Sequence, residues 1–370
     1  MFFIILLVLS ASYAIALLII TYGYTRLPNP SNQTLLTVSI VVAIRNEEEN
    51  LPNLLYSLAQ LDYPADHWEA ILVDDGSSDR SRCIIEQFIR ENTHLSFRLL
   101  KSQGRDFVAS PKKHALSQGI TASQFEIILL TDADCTPSPH WIKGMVSYFE
   151  RDIGMVIGFS PYETPAIESL GHAFQALDAI ALAALTAGTT GWQKPATCNG
   201  RNLAYRKSLF QSVGGFSKIK HFVSGDDDLF LKIVQQYTDT KIAYAYSPFL
   251  AVPTRFLNSQ KHFFQQRIRH ASKGFAYNPG KIIVLAGAYV YNYMILLSLP
   301  IALSQKWILF WVPFGIKSGF ELALLLIFAY RMKRHKTLWF FPLAEIMHIP
   351  YVVIFGALGP LLKVQWKKGD

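Results

Sequence analysis

Three acidic clusters carry the chemistry available to this chain: Asp74-Asp75, within Asp74-Asp75-Gly76-Ser77-Ser78-Asp79; Asp132-Ala133-Asp134; and Asp226-Asp227-Asp228. Carboxylates gathered in one place repel one another, so something must compensate them. A divalent cation does so and also bridges to phosphate oxygens. Two carboxylates one residue apart, as in Asp132-Ala133-Asp134, suit a Mg2+ or Mn2+ ion shared with a diphosphate, neutralising the charge on a departing nucleotide. Asp74-Asp75 suits a nucleoside, whose N–H and hydroxyl groups donate to carboxylates. One acid of the third cluster suits a general base on an acceptor hydroxyl. Each cluster also has a plain structural use. Gly76 permits a turn, Ser77, Ser78 or Asp79 can cap the following helix, and acids ahead of Leu229-Phe230-Leu231 sit well at a helix N-terminus. Capping leaves unexplained the two adjacent acids before Gly76 and the run of three after Gly225.

A frame is needed to bring these clusters together. Val38 to Ile44 is a β-branched run that predicts a buried strand ending at Arg45-Asn46-Glu47. Leu51, Leu54, Leu55, Leu58 and Leu61 then repeat at helical spacing. Trp68 to Val73, Phe97 to Leu100 and Phe125 to Leu130 read as further strands, and Arg80 to Glu91 and Lys112 to Gly119 as helices. Strands alternating with helices predict an α/β fold with a parallel, doubly wound sheet. Ligands of such sheets bind beyond the carboxyl ends of the strands. Arg45-Asn46-Glu47, Asp74-Asp75 and Asp132-Ala133-Asp134 are therefore expected at one sheet edge.

The chain is 51% hydrophobic and 17% charged, too apolar for a purely soluble enzyme and too charged for a pure membrane bundle. Phe2 to Ile20 is an apolar run long enough to span a bilayer. No Lys or Arg precedes Arg26, which favours an uncleaved anchor over a signal peptide. Ile167 to Thr186 reads as a helix, in the core or on the membrane surface, and Asn258 to Lys273 as an amphipathic helix near the membrane. Three apolar stretches follow: Ile282 to Leu303, Trp307 to Tyr330 and Leu338 to Leu362. The third contains Pro342, Glu345, His348 and Pro350, which points to a tilted, broken or re-entrant segment. With the region after Arg26 cytosolic, two spans return the chain inside at Arg331 to Lys336, as positive-inside bias requires; a third full span would place Lys363, Lys367 and Lys368 outside, against it. The expected division is an anchor at 1–24, a linker at 25–37, a catalytic domain with membrane-interface helices at 38–280 and a C-terminal transmembrane region at 281–370. The expected location is a bacterial inner (plasma) membrane, with the catalytic part cytosolic.

The net charge of +8 does not call for nucleic acid. No acidic residue lies between Asp239 and Glu321, whereas Arg255, Lys261, Arg267, Arg269, Lys273 and Lys281 do, and this basic stretch leads into apolar sequence. Anionic lipid headgroups are the simpler partner, with a pyrophosphate-bearing ligand second. Cys83, Cys135 and Cys198 lack metal-type spacing and read as buried, reduced thiols.

Together these residues resemble the family-2 glycosyltransferases over roughly Val38 to Lys273. The membrane-bound branch is the nearest likeness, including cellulose, hyaluronan and poly-N-acetylglucosamine synthases and ceramide glucosyltransferase. The resemblance implies a GT-A fold, a Rossmann-like, mostly parallel sheet flanked by helices, with transmembrane helices at both ends. It implies an inverting single displacement from a nucleotide-sugar donor, with UDP the expected nucleotide, to a lipid, lipid-linked glycan or polysaccharide. By likeness the donor-side residues are Ala43, Arg45, Glu47, Asp74, Asp75, Lys113, Asp132, Ala133, Gln266, Arg267 and Arg269. Asp134 and Asp132 take the metal, Asp226 is the base with Asp227 beside it, and Gly200, Asn202 and His270 lie on the acceptor side. Two departures stand out. The usual Thr-Glu-Asp appears as Ser224-Gly225-Asp226, and the usual Gln-x-x-Arg-Trp as Gln266-Arg267-Ile268-Arg269-His270, whose terminal His weakens the case for processive synthesis. A metal-dependent nucleotidyltransferase and a non-catalytic membrane subunit are the competing classes.

Overall fold

The computed structural model describes residues 1–104, 110–163, 169–256, 259–271, 279–303 and 307–358. The chain divides into two compact units, one of residues 26–163 and 189–255, the other of residues 1–25, 164–188 and 256–370.

The first unit is built on a seven-stranded sheet: β1 (Val38–Ile44), β2 (Trp68–Asp74), β3 (Phe97–Lys101), β4 (Ile127–Leu130), β5 (Ile153–Gly158), β6 (Leu203–Arg206) and β7 (Lys241–Ala245), in the order β3-β2-β1-β4-β6-β5-β7. β1 to β4 are mutually parallel, as the alternation of strand and helix predicts. β6 runs antiparallel to β4 and β5, while β5 and β7 are parallel. The sheet is thus mixed and mostly parallel, and the reversal at β6 decides what reaches its edge. Leu203 at the start of β6 is in register with Leu130 at the end of β4 and Ile157 near the end of β5. The residues just before β6 therefore meet those just after β4 and β5.

The helices pack on the sheet through the apolar stripes that the sequence spacing predicts. Leu51, Leu54, Leu55 and Leu58 of α2 (Leu51–Ala59) are buried, as is Ile85 of α3 (Ser81–Glu91). α4 (Pro111–Ala122) buries Ala115, Leu116 and Gly119, and a Cβ on Gly119 would lie 2.5 Å from Val41 of β1. That glycine lets the helix backbone rest directly on the strands. The segment expected as a linker is tied down: the Ser31 and Asn32 amides donate to Ser147 O (3.1 and 3.0 Å), beside α5 (Trp141–Val146), and the Tyr63 hydroxyl donates to Leu36 O (2.6 Å). Of the three cysteines, Cys83 is exposed, contrary to the sequence reading; Cys135 and Cys198 are buried.

The second unit contains α1 (Phe2–Gly23), α9 (Gln260–Ala271), α10 (Pro279–Leu303), α11 (Ile308–Arg331) and α12 (Phe341–Leu358), with α6 (Leu170–Thr190) supplying residues up to 188. Among the described residues, five helices are long and apolar enough to cross a membrane: α1, α6, α10, α11 and the stretch ending in α12. Residues 164–188 and those after 255 group with the apolar helices. α6 has the length of a span rather than only that of a surface helix. α12 is continuous through Pro350, and Pro342 falls in its first turn, where its missing N–H has no helical partner to lose. The expected break is not seen there; residues 359–362 lie outside the described ones.

Among these apolar helices sits a buried charge cluster. Lys317 of α11 lies 2.9 Å from Glu321, one turn on, and 2.5 Å from Glu345 of α12, with His348 Nδ1 at 3.5 Å. The Tyr13 hydroxyl of α1 donates to Glu321 (2.5 Å), and Ser318 donates to Glu345 (3.2 Å). One ammonium thus fills the space on which two carboxylates and an imidazole converge, tying three helices together. Lys317→Met would leave the carboxylates facing each other in apolar surroundings. It is expected to destabilise this unit by about 3–5 kcal/mol, read as a lower thermal unfolding midpoint in detergent, with partial recovery when Glu345→Gln is added.

Candidate active site

The parallel strands deliver their loops as expected. The loops after β1 and β2 are locked together. Asn46, with φ of 54°, accepts from the Ser78 amide through its side chain (2.8 Å) and donates its own amide to Ser77 Oγ (3.1 Å). Asp79 accepts from the Glu48 and Ser81 amides (3.0 and 2.9 Å), so the capping role is real for this acid. Gly76 takes φ of +74°, conformational space that side chains disfavour. Asp74 accepts from the Ser77 amide (3.0 Å) and is buried, which makes it part of the turn. Asp75 is left as the acid that turns outward, 3.4 Å from Arg45. Burial pushes its carboxyl up, and Arg45, Ser102 and His114 pull the other way without cancelling that effect. Ala43 is the β1 residue that is not fully buried, in register with Val73. Glu47 lies in the turn ahead of α2, its carboxylate accepting from the Asn50 side chain (2.7 Å).

Asp132, beyond β4, and Asp226, before α8 (Asp228–Tyr237), share one cation. Lys112 Nζ lies 2.8 Å from Asp132 Oδ1 and 3.2 Å from Asp226 Oδ2. Burial pulls the Lys112 ammonium down, but Asp132, Asp226 and Asp227 outweigh it and hold it well above the usual lysine range. Burial pushes Asp132 up, Lys112 opposes, and the nearby Asp134 and Asp226 add to the rise. Asp134 accepts from Thr254 Oγ1 (3.0 Å), and the backbone of Cys135 bridges that of Thr254. Asp132, Asp134, Asp226 and Asp227 outnumber the Lys112 ammonium and the Arg201 guanidinium, and the oxygens of Asp134 and Asp132 are donors of the kind a divalent cation takes.

Several expected site residues have other work here. Lys113 is fully buried and its ammonium donates to three carbonyls, Ile219 (2.7 Å), Phe222 (2.7 Å) and Ser224 (3.1 Å), clamping the loop that leads to Asp226. The lysine that meets the carboxylates is its neighbour, missed in the sequence reading. Helical spacing does not separate the two, since 113, 116 and 120 repeat on the buried face of α4 as well as 115, 116 and 119 do. Asn202 is buried with both ends of its amide engaged, accepting from Trp141 Nε1 (2.9 Å) and donating to Phe159 O (2.9 Å) and Leu250 O (2.8 Å), so it is a strut. Asp227 is the N-cap of α8, accepting from the Asp228 amide (2.7 Å) and facing the Gly200 amide at 3.4 Å. Gly200 lies against the third cluster, since a Cβ there would sit 3.3 Å from Asp226 Oδ2. Ala133 is buried between the two aspartates of its motif.

Gln266 and Arg267 lie on α9, in the unit of apolar helices. Arg267 is buried and pairs with Asp178 of α6 at 2.5 Å, a structural ion pair. The side chains of Arg269 and His270 lie outside the described residues.

Residues 2–369 match the description of glycosyl transferase family 21. The chain belongs to that family. It is a glycosyltransferase of the ceramide-glucosyltransferase-like, GT-A type, a narrower placement than the family-2 resemblance. The probable glycosyltransferase YdaM of Bacillus subtilis is 29% identical over 182 residues, covering 48% of this chain and 42% of that protein. The beta-monoglucosyldiacylglycerol synthase of Trichormus variabilis is 32% identical over 115 residues, 31% of this chain and 24% of that one. The chain thus spans less than half the length of either relative. The mannosyltransferase PcManGT from Pyrobaculum calidifontis, solved with GDP-Man and Mn2+, superposes with a TM-score of 0.59 at 17% identity, over 98% of this chain and 99% of that one. That likeness shows the GT-A fold.

The family-21 chain's departure at Gly225 has a backbone cause. Gly225 takes φ of +101°, and a Cβ there would lie 2.6 Å from Leu229. A glutamate at this position is strained in this glycosyltransferase whatever its charge contributes. Gly225→Glu, which restores the usual motif, is expected to lower stability by about 1–3 kcal/mol and to reduce activity, with the unfolding midpoint as the check.

Proposed function

We propose that this family-21 glycosyltransferase moves a sugar from a nucleoside-diphosphate donor to a lipid hydroxyl, with inversion at the anomeric carbon. The observation that carries the reading is the Lys112 ammonium bonded to both Asp132 and Asp226. It joins a diphosphate-and-metal motif to a carboxylate suited to general-base work. Asp226 takes the proton of the acceptor hydroxyl, whose oxygen attacks the anomeric carbon from the face opposite the nucleotide. Asp75, with Arg45 beside it, receives the nucleoside. Asp134 and Asp132 would hold a Mg2+ or Mn2+ ion, which when bound supplies charge neutralisation to the departing diphosphate. Lys112 keeps Asp226 oriented through its ion pair. Lys113 holds the preceding loop so that Asp226 is presented from a fixed backbone.

The lipid acceptor is supported by the five apolar helices and by a relative that is a diacylglycerol-glycolipid synthase. UDP remains the expected nucleotide, although PcManGT was solved with GDP-Man, so the donor panel must include both. A plasma-membrane location with the Asp226 unit on the cytosolic side agrees with the Arg331 to Lys336 basic run and with the cytosolic supply of nucleotide sugars.

Asp226→Asn, which keeps shape and removes the base, is expected to lower transfer about 10²- to 10⁴-fold with little change in donor KM. Membranes incubated with radiolabelled UDP- and GDP-sugars, followed by separation of lipid-soluble product, provide the measurement. Wild-type rates in Asp226→Asn would remove the base assignment. EDTA is expected to abolish the same activity and Mn2+ or Mg2+ to restore it; undiminished turnover in EDTA would remove the metal.

A further inference from the structure

We propose that Arg201 is a phosphate-binding residue, its guanidinium placed beside Asp134 to receive an oxyanion carried by one of the two substrates. The inference rests on the diphosphate-and-metal reading of Asp132-Ala133-Asp134.

Arg201 lies in the turn that opens β6, and the antiparallel sense of that strand brings the turn to the edge where β4 ends. Its neighbour Gly200 abuts Asp226 and Asp227. The Arg201 side chain is oriented from within the turn: Asn199 Oδ1 accepts from both the Arg201 amide (3.0 Å) and Nε (3.2 Å). The guanidinium lies over the Tyr162 ring, 5.7 Å from its centroid. Tyr162 bridges the backbone of Thr254, and Thr254 holds Asp134. Ring, guanidinium and metal-motif carboxylate are thereby linked around one spot. Burial pulls the Arg201 charge down, and Tyr162, Cys135, Asp134 and Asp132 more than restore it.

Among the described residues, no carboxylate forms an ion pair with Arg201, and its terminal Nη groups donate to no protein acceptor. The neighbouring groups hold the charge in place, and the Nη groups keep donors with which to bond an anion directly. With Nε anchored, the two Nη groups present a planar fork matched to two oxygens of a phosphate. Lysine at this point would offer a charge but not the fork. The phosphate has two sources: the donor's diphosphate, or a phosphate group on a lipid acceptor.

The test compares wild type with Arg201→Gln and Arg201→Lys in the full-length, detergent-solubilised protein. One arm measures Mn2+-dependent affinity for UDP and GDP, with uridine and guanosine as phosphate-free controls. The other measures transfer to vesicles containing diacylglycerol, which has a hydroxyl and no phosphate, or phosphatidylglycerol, which has both. A loss of about 10- to 100-fold in nucleoside-diphosphate affinity for Arg201→Gln, with nucleoside affinity unchanged and Arg201→Lys intermediate, assigns the donor. Unchanged nucleotide affinity with a similar rise in KM for phosphatidylglycerol alone assigns the acceptor. Either result supports the proposal. A folded Arg201→Gln protein that matches wild type in both arms overturns it and leaves the function reading standing. Absence of Mn2+-dependent nucleoside-diphosphate binding in wild type overturns both.

Discussion

A single ammonium ion organises the catalytic unit. Lys112 stands between Asp132, which the sheet delivers at the end of β4, and Asp226, which arrives on a loop far along the chain. Without it, carboxylates from separate segments would converge with no covalent reason to stay together and a Coulombic reason to part. The cost falls on α4, whose first turn carries two lysines against the positive end of the helix dipole. Both are compensated, Lys112 by the carboxylates and Lys113 by three backbone carbonyls. One helix turn thus holds the proposed base by its side chain and by its loop. That double restraint matters for a displacement reaction, because a base must be placed to within a fraction of a bond length of the hydroxyl it deprotonates.

The reversal of β6 is the second constraint. A wholly parallel sheet would present only carboxyl ends at the site. Running β6 backwards places its opening turn there instead, and with it Gly200 against the third acidic cluster and Arg201 beside the second. Asn202 fixes this turn by using both of its N–H donors and its carbonyl oxygen, on Phe159, Leu250 and Trp141. A buried amide bonded in this way is costly to disturb, which makes it a firm mount for the residues on either side.

The unit of apolar helices repeats the motif of a buried cation among carboxylates, in Lys317 with Glu321 and Glu345 and in Arg267 with Asp178. In apolar surroundings an unpaired charge is far more costly than in water, so these pairs specify which helix faces meet. Arg267 shows how an identical residue type in a familiar motif is used for packing: its guanidinium is buried on Asp178.

The amino-acid order alone determined the parallel half of the sheet, because β-branched runs and leucine stripes are local signals with a fixed period. It also determined the three acidic clusters and the apolar helices, which composition marks without reference to any partner. It did not determine β5 to β7, short strands whose direction depends on pairings between distant segments. Nor did it separate Lys112 from Lys113: adjacent residues on a helix point about 100° apart, and only the packing of α4 on Val41 and Val73 says which faces the carboxylates. The same holds for Asn202, Asp227 and Arg267, whose motif positions suggest ligand contact while their hydrogen bonds show a strut, a helix cap and an ion pair. Gly225 belongs to both. Its identity was written in the chain, but the reason for it, a φ of +101° and the nearness of Leu229, exists only once the loop is folded.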